Sequence, residues 1–123
     1  MKEKIVTSLA PTPGGYFSQG IKVGNRIYVA GQTPYNVQTG TIPETIEEQT
    51  RQTLLNVKYV LEAAGGSLED VVKVTTHLIN LEDFDAYDKV YREFFSEPLP
   101  VRTTDGSPLK GIPIEIDVIA EIE

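Results

Sequence analysis

The C-terminal segment 112–123 alternates hydrophobic and polar residues more regularly than any other part of the chain. Apolar residues occupy every second position, and acidic residues stand between most of them. This period of two is typical of a strand with one face buried and the other exposed. The segment 71–79 is dense in β-branched residues and also alternates, with Val72, Val74, Thr76 and Leu78 expected on one buried face. Both segments are therefore predicted to be strands.

A hairpin is predicted nearer the N-terminus, over residues 19–30. Two stretches rich in β-branched residues flank Gly24 and Asn25, a pair that favours a two-residue turn. Residues 31–44 contain two glycines, two prolines and an asparagine, so regular structure is expected to stop there. The stretch around Arg102, which is bounded by proline, is predicted as one further extended segment.

From Thr45 onwards the apolar residues follow the spacing of an amphipathic helix. The hydrophobic stripe runs from Ile46 to Ala64 with a period of about 3.6 residues. Thr45 and Glu48 have the spacing of a capping box, and the glycine pair at 65–66 supplies a residue for the left-handed conformation that ends many helices. Both ends of this helix are therefore marked in the sequence.

A second helix is predicted after Asn80, a residue type that favours a helix N-terminus. Its stripe consists of one leucine and four aromatic residues: Leu81, Phe84, Tyr87, Tyr91 and Phe94. Pro98 and Pro100 mark the end of the helical pattern.

The resulting order is strand, strand, helix, strand, helix, strand, strand, which we interpret as one α+β domain over residues 1–123. Two helices can cover only one face of such a sheet. The other face would carry polar and apolar side chains together: Lys73, Thr75, His77, Ile79, Glu115, Asp117 and Ile119. Because such a face packs better against sister subunits than against water, we expect a symmetric homo-oligomer with a ligand pocket between subunits.

Composition excludes several classes of site and partner. The chain has no cysteine, which rules out disulfides, thiolate metal sites and a cysteine nucleophile, and its single histidine, His77, supports no metal site. The formal net charge is −7 and the basic residues are scattered, so nucleic acid is not an expected partner. No apolar stretch is long enough for a secretory signal or a membrane span, and we expect a cytoplasmic protein.

Three charged residues are candidates for chemistry. Arg102 could bind a carboxylate through two parallel hydrogen bonds, or it could be a surface arginine or pair with Glu115. Glu115 and Asp117 are two residues apart and so project from the same face of a strand. Crowding of two carboxylates raises the pKa of one, as an acid–base site needs, but the same spacing suits a charged subunit edge. The residues alone leave both alternatives open.

Five segments of the chain occur in an order and at distances that are found together in one known family. They are GYFSQ at 15–19, AGQ at 30–32, VVKVTTHLINLEDF at 71–84, PVR at 100–102 and IEIDVIA at 114–120. Together they resemble the RidA (YjgF-like) reactive-intermediate deaminases. The resemblance implies a chorismate-mutase-like α+β fold with a mixed, mainly antiparallel sheet, two helices on one face, and a homotrimer with active sites between subunits. It also implies hydrolysis of 2-imino and 2-enamino acids to 2-oxo acids and ammonia, without cofactor or metal.

The same resemblance implies roles for individual residues. Arg102 would bind the substrate carboxylate, and Glu115 would hold the attacking water. Backbone groups of Thr103 and Thr104 would complete the cleft. The other substrate-binding positions carried over from the family are Phe17, Ala30, Gly31 and Asp88.

Four of these positions differ from the residues that the family often has. Phe17 stands where the family often has tyrosine, and Ala30 where it often has serine. Asp88 stands in place of asparagine, and Thr104 in place of cysteine. Two other functions fit the same cleft. One is a non-catalytic, trimeric regulatory protein that binds small carboxylate metabolites, and the other is a deaminase for a different substrate, such as an aminomuconate-like compound.

Overall fold

Six strands form one mixed sheet in the computed structural model, which describes all residues from 1 to 123. The strands are β1 (Lys2–Ile5), β2 (Gly20–Val23), β3 (Arg26–Gln32), β4 (Val71–Leu78), β5 (Val101–Gly106) and β6 (Ile114–Glu121). Their order across the sheet is β1-β2-β3-β6-β4-β5, and every neighbouring pair is antiparallel except β4 and β5. The predicted mixed, mainly antiparallel sheet is confirmed, with β1 as a strand that was not predicted.

Two helices pack on one face of this sheet. Helix α1 (Ile46–Ala63) contacts β3, β6 and helix α2 (Phe84–Tyr91). Short 3-10 turns, Leu68–Asp70 and Leu81–Asp83, precede β4 and α2. The core between the two layers contains fully buried side chains from both helices and from the central strands: Ile27, Leu54, Val57, Leu61, Val74, Tyr87, Ile114 and Ile116. The α+β fold with both helices on one face is therefore confirmed.

Helix α1 begins and ends where the sequence predicts. Oγ1 of Thr45 accepts a hydrogen bond of 3.2 Å from the backbone N–H of Glu48. The reciprocal half of the capping box is missing because the Glu48 side chain pairs with Arg51 instead. At the other end, Gly65 adopts a φ of +87°, which a residue with a Cβ rarely does, and the N–H of Gly66 donates to the carbonyl of Leu61 at 2.9 Å.

Three details of the sequence prediction are wrong. The register between β4 and β6 shifts between Val71 and Lys73, so Val71 is buried and Val72 is 43% exposed. The second helix is shorter than its predicted stripe, because Leu81, which is 56% exposed, belongs to the 3-10 turn before α2 and Phe94 lies in the turn that follows Tyr91. Strand β3 continues to Gln32, two residues into the segment expected to be loop.

Neither helix covers the second face of the sheet, called the open face below. All seven side chains predicted there, from Lys73 to Ile119, are partly or fully exposed. The arrangement of polar and apolar residues on this face therefore agrees with the prediction, whereas the homotrimer stays a prediction. No helix of the chain is both long and apolar enough to span a bilayer.

Candidate functional site

Arg102 lies on β5, at the edge of the sheet, and its side chain faces the helices. Its register partner on β4 is Val74, which is fully buried under the helical layer. Nη1 donates a hydrogen bond of 2.7 Å to Oδ1 of Asp88, and the guanidinium carbon lies 4.4 Å from the ring centroid of Tyr91. A cation over an aromatic ring gains about 1 kcal/mol at a partly exposed site. The alternative pairing of Arg102 with Glu115 is wrong, since Asp88 is the partner.

Asp88, on α2, connects two guanidinium groups. Oδ1 accepts from Arg102, and Oδ2 accepts a hydrogen bond of 2.9 Å from Nε of Arg92. Burial of the Asp88 carboxyl raises its pKa, but the hydrogen bonds from the two arginines outweigh burial and hold the pKa below its usual value. Asp88 is therefore an anion at neutral pH, and both of its oxygens accept hydrogen bonds from the same chain.

The hydrogen bond to Asp88 leaves most donors of Arg102 unused. Nε and Nη2 have no hydrogen-bond partner within the chain, and the N–H groups on this edge of a guanidinium point in parallel. The side chain is 25% exposed, so it is neither sealed in the core nor free in solvent. A carboxylate that accepts both N–H groups can therefore bind without displacing Asp88.

A cavity of about 300 Å³ adjoins this guanidinium. Its polar wall consists of Asp88, Arg92 and Arg102, and its apolar wall consists of Tyr91, Phe95, Leu99 and Pro100. Burial raises the pKa of the Tyr91 hydroxyl to about 12, and that hydroxyl has no hydrogen-bond partner. Arg92 was not among the predicted site residues, although it follows Asp88 by four residues, the spacing at which helical side chains pair.

Glu115, on β6, lies on the open face. Its register partner is His77, while the flanking Ile114 and Ile116 point into the core. The Glu115 carboxyl lies against the backbone of β3, because a Cβ atom added to Gly31 would come within 2.6 Å of Cδ of Glu115. Only glycine at position 31 leaves room for Glu115 in this orientation.

Phe17 lies next to Gly31. The two residues line one shallow hollow of about 70 Å³, and Phe17 is 55% exposed there. The segment that carries Phe17 is held by the buried Gln19, whose Nε2 donates to the carbonyls of Thr7 and Pro11 at 3.0 and 2.9 Å. This support by Gln19 was not predicted, since a glutamine in an extended segment gives no sign in the sequence of what it contacts.

The predicted site residues fall into two groups that the sheet separates. Arg102, Asp88 and Thr104 are on the helix side, where Oγ1 of Thr104 lies 3.3 Å from the hydroxyl of Tyr87. The second group consists of Glu115, of Gly31, against which Glu115 lies, and of Phe17, which lines a hollow together with Gly31; Ala30 directly precedes Gly31 on β3. Thr103 alternates with its neighbours along β5 and therefore faces the same side as Glu115. A small ligand cannot contact Arg102 and Glu115 of the same chain at once.

His77, Asp105 and Ser107 form a hydrogen-bonded cluster on the open face. Oδ1 of Asp105 is 2.7 Å and Oγ of Ser107 is 3.2 Å from Nδ1 of His77. The hydrogen bond from His77 lowers the pKa of Asp105. A serine hydrolase needs its serine and aspartate on different ring nitrogens, whereas here both contact Nδ1. The cluster is therefore not a nucleophilic triad.

Asp117 lies on the open face, as predicted. Burial raises its pKa, and the charges of His77 and Lys73 partly oppose this effect. The direction agrees with the expectation that one carboxyl of the Glu115–Asp117 pair has a raised pKa. The expected cause, crowding by the second carboxylate, is wrong, since the cause is burial.

Comparison with known proteins identifies the family of this fold. The family model named Endoribonuclease L-PSP matches residues 7–122. The chain belongs to this family. It is 49% identical over 98% of its length to a RutC family protein of Pyrococcus horikoshii, and 41% identical over 99% of its length to the 2-iminobutanoate/2-iminopropanoate deaminase of Dermatophagoides farinae. Each match covers 98% of the relative's chain.

Solved structures similar to this L-PSP family chain have the same architecture. RidA from a Psychrobacter species matches with a TM-score of 0.93 at 38% identity, and Escherichia coli TdcF with bound serine matches with a TM-score of 0.93 at 34% identity. Both comparisons cover 98% of this chain and 99% of the other. The resemblance to RidA proteins, and the fold expected from it, are confirmed.

Proposed function

We propose that the chain is a hydrolytic deaminase of reactive 2-imino and 2-enamino acids, such as 2-iminopropanoate and 2-iminobutanoate. The observation that carries this proposal is the unused Nε and Nη2 edge of Arg102, which suits the carboxylate that all these substrates share. The deaminase name of the Dermatophagoides relative supports the reaction. The serine bound to TdcF supports a small carboxylate as ligand.

In this proposal Arg102 binds the substrate carboxylate and Glu115 holds a water molecule at the imine carbon. An enamine first takes a proton on its β-carbon and becomes the imine. Water then adds to the imine carbon, a proton passes through the Glu115 carboxylate to the nitrogen, and the C–N bond breaks. Ammonia leaves and the 2-oxo acid remains, so the net change is the addition of one water and the loss of one ammonia. Positioning and proton transfer suffice for this reaction.

The proposed site needs more than one chain. Because Arg102 and Glu115 lie on opposite faces of the sheet, a complete site takes them from two different copies. The open face needs cover as well, since it carries partly buried charged groups such as Asp117 beside apolar ones such as Ile119. A homotrimer meets both requirements if it covers the open faces and also brings the helix side of the edge strand β5 of one copy to Glu115 of the next. Light scattering should show this trimer in solution.

A second candidate function is a non-catalytic regulatory trimer that binds 2-oxo acids. The observation that favours it is Phe17, whose ring offers no hydroxyl to a reacting group next to Gly31. Binding without turnover is the result that this alternative requires. A deaminase for an aminomuconate-like compound would use the same Arg102 and Glu115 but would have to accept a second carboxylate.

The name of the family model refers to cleavage of RNA, and this chain is poorly suited to that substrate. Binding of an RNA backbone relies on clustered basic residues. The net charge of −7 and the scattered lysines and arginines give no such surface. The carboxylate site beside Arg102 therefore supports a small acid as the ligand, and not RNA.

The direct test generates 2-iminopropanoate in the cuvette from serine with a pyridoxal-phosphate-dependent dehydratase and follows the release of pyruvate. The wild-type chain should accelerate pyruvate formation beyond the spontaneous rate. Arg102→Ala should remove the acceleration because the carboxylate loses its partner, and Glu115→Gln should remove it because the water loses its base. Each should reduce the catalysed rate by about 100-fold or more.

Matched controls come from the helical surface. Arg51→Ala removes an arginine that pairs with Glu48 and Glu93, and Glu62→Gln removes an exposed carboxylate on α1. Both should keep wild-type turnover. No acceleration by wild type would refute the deaminase, and equal acceleration by wild type and Arg102→Ala would refute the proposed role of Arg102. Calorimetry with 2-oxobutyrate that shows tight binding without any turnover would support the regulatory trimer instead.

A further inference from the structure

Three charges share one wall of the cavity beside Arg102. Asp88 lies between the two guanidinium groups, with 2.7 Å from its Oδ1 to Nη1 of Arg102 and 2.9 Å from its Oδ2 to Nε of Arg92. Its lowered pKa keeps Asp88 ionised under neutral conditions. The wall therefore carries two positive charges and one negative charge, a net charge of plus one.

The free donors and the apolar lining indicate which ligand would neutralise the charge of this wall and fill the cavity. Arg102 retains Nε and Nη2, and one carboxylate bound there brings the net charge of the cavity to zero. The rest of the lining is apolar and suits an uncharged, hydrophobic substituent: Tyr91, Phe95, Leu99 and Pro100. A second carboxylate on the ligand would instead make the cavity negative and would lie close to Asp88.

We propose that Asp88 determines the specificity of this site by rejecting ligands with a second carboxylate, so that the cavity takes monocarboxylic 2-imino and 2-oxo acids with an apolar side chain. The inference rests on the proposed function for the place where the ligand binds. Asp88 acts here through repulsion and not as a donor to the substrate, since its oxygens accept the hydrogen bonds of Arg92 and Arg102. It follows that an aminomuconate-like dicarboxylate is a poor ligand of this chain.

The size of the effect follows from the distance between the charges. Asp88 lines the cavity of about 300 Å³. For a second ligand carboxylate about 6 Å from Asp88 and an effective dielectric constant of about 40, the repulsion between the two like charges changes affinity by about tenfold. Replacing the carboxylate of Asp88 by an amide of the same shape removes this repulsion. The neutral amide also leaves the cavity with a net charge of plus two.

The experiment measures the ratio of two dissociation constants by calorimetry at low ionic strength, for 2-oxoglutarate and for 2-oxobutyrate. Asp88→Asn should lower this ratio by about tenfold, because dicarboxylate binding is no longer penalised. Arg92→Gln removes a positive charge from the same wall and should raise the ratio. Glu62→Gln, which removes a carboxylate from the exposed surface of α1, should leave it unchanged.

The dependence of this ratio on salt concentration distinguishes electrostatic repulsion by Asp88 from a change in the shape of the cavity. At high ionic strength the shift of the Asp88→Asn ratio should shrink, whereas a change caused by a deformed cavity would persist. If 2-oxobutyrate binds and the ratio is the same in wild type and Asp88→Asn, specificity by Asp88 is refuted and the proposed function survives. If neither acid binds the wild-type chain, the ligand site itself is refuted, and the role of Asp88 with it.

Discussion

Chains that lack Arg102 and chains that lack Glu115 should restore each other's activity when they assemble together. The reason is geometric, since the sheet separates the two side chains within one protomer. In a closed assembly each site would take Arg102 from one copy and Glu115 from its neighbour. In a random equal mixture of the two variants, each requirement is met with a probability of one half, so about a quarter of the sites are complete.

The assay uses Arg102→Ala and Glu115→Gln chains that are denatured, mixed in equal amounts and refolded together, with pyruvate release from 2-iminopropanoate as the readout. Each variant refolded alone should stay at the spontaneous rate. The mixture should recover about a quarter of the wild-type activity per chain. This fraction holds for a dimer as well as for a trimer, so it tests the division of the site independently of the number of subunits.

A second mixture distinguishes the two possible origins of the site. Wild type is mixed equally with a variant that carries both Arg102→Ala and Glu115→Gln. Per total chain, the mixture should show about a quarter of the wild-type activity if each site spans two chains, but about half if both residues act within one chain. No recovery in the first mixture together with half the activity in the second would refute the shared site. It would also show that β5 or β6 adopts another register in solution.

Two further predictions concern Gly31 and Asp88. Gly31→Ala should reduce turnover by about tenfold or more, because the new Cβ would come within 2.6 Å of Cδ of Glu115 and displace that flexible side chain. Binding of 2-oxobutyrate should persist. Unchanged turnover would contradict the proposal that Glu115 holds the attacking water. Asp88→Asn should lower the free energy of unfolding by about 1–2 kcal/mol at pH 7, because the pair with Arg102 is charge-assisted and partly buried. Since the folded-state pKa of Asp88 is lowered, this stabilisation is present above the usual aspartate pKa of about 4 and lost as the pH falls through the lower folded-state value. Thermal unfolding at a series of pH values should therefore show the two proteins converging in acid, and a constant difference would refute the pairing.

Most elements were predictable because each shows its burial as a period in the sequence. The alternation in β6 and the stripe of α1 both agree with the observed core, in which Ile114, Ile116, Leu54 and Val57 are fully buried. The glycine that ends α1 was equally readable, since a positive φ at Gly65 is what a helix stop requires. Periodicity and helix-stop residues depend only on nearby positions, so they predict the same element in any tertiary structure that buries the same face.

Two of the errors arise where a contact with another strand overrides the local pattern. Strand β1 has three exposed residues and one buried one, so it shows no alternation; its backbone pairs with β2 and that pairing defines it. The bulge between Val71 and Lys73 reverses the faces predicted at the start of β4. Neither feature has a signature that a single sequence displays.

The candidate site was predictable as a set of residues but not as an arrangement. Arg102 and Glu115 were both identified, yet their separation by the sheet depends on the register of β5 against β4 and of β6 against β4. The partner of Arg102 is also a consequence of this register, because the parallel pairing of β5 with β4 brings Arg102 under α2 and next to Asp88. The sequence shows which side chains are present, but the register of the strands determines which of them are in contact.

The contacts of Arg102 explain how one exposed edge strand can provide a precise anchor. A free arginine side chain has about 2 kcal/mol of rotamer entropy to lose when it binds a carboxylate. Here Asp88 and the ring of Tyr91 hold the guanidinium before any ligand arrives, and they use only Nη1 and the face of the group. Nε and Nη2 therefore point in a fixed direction. The entropy of the Arg102 side chain is lost when the chain folds, so it does not weaken the binding of each ligand. The same carboxylate that provides this order also brings a negative charge to the cavity, which is why anchoring of the ligand and rejection of a second carboxylate follow from one residue.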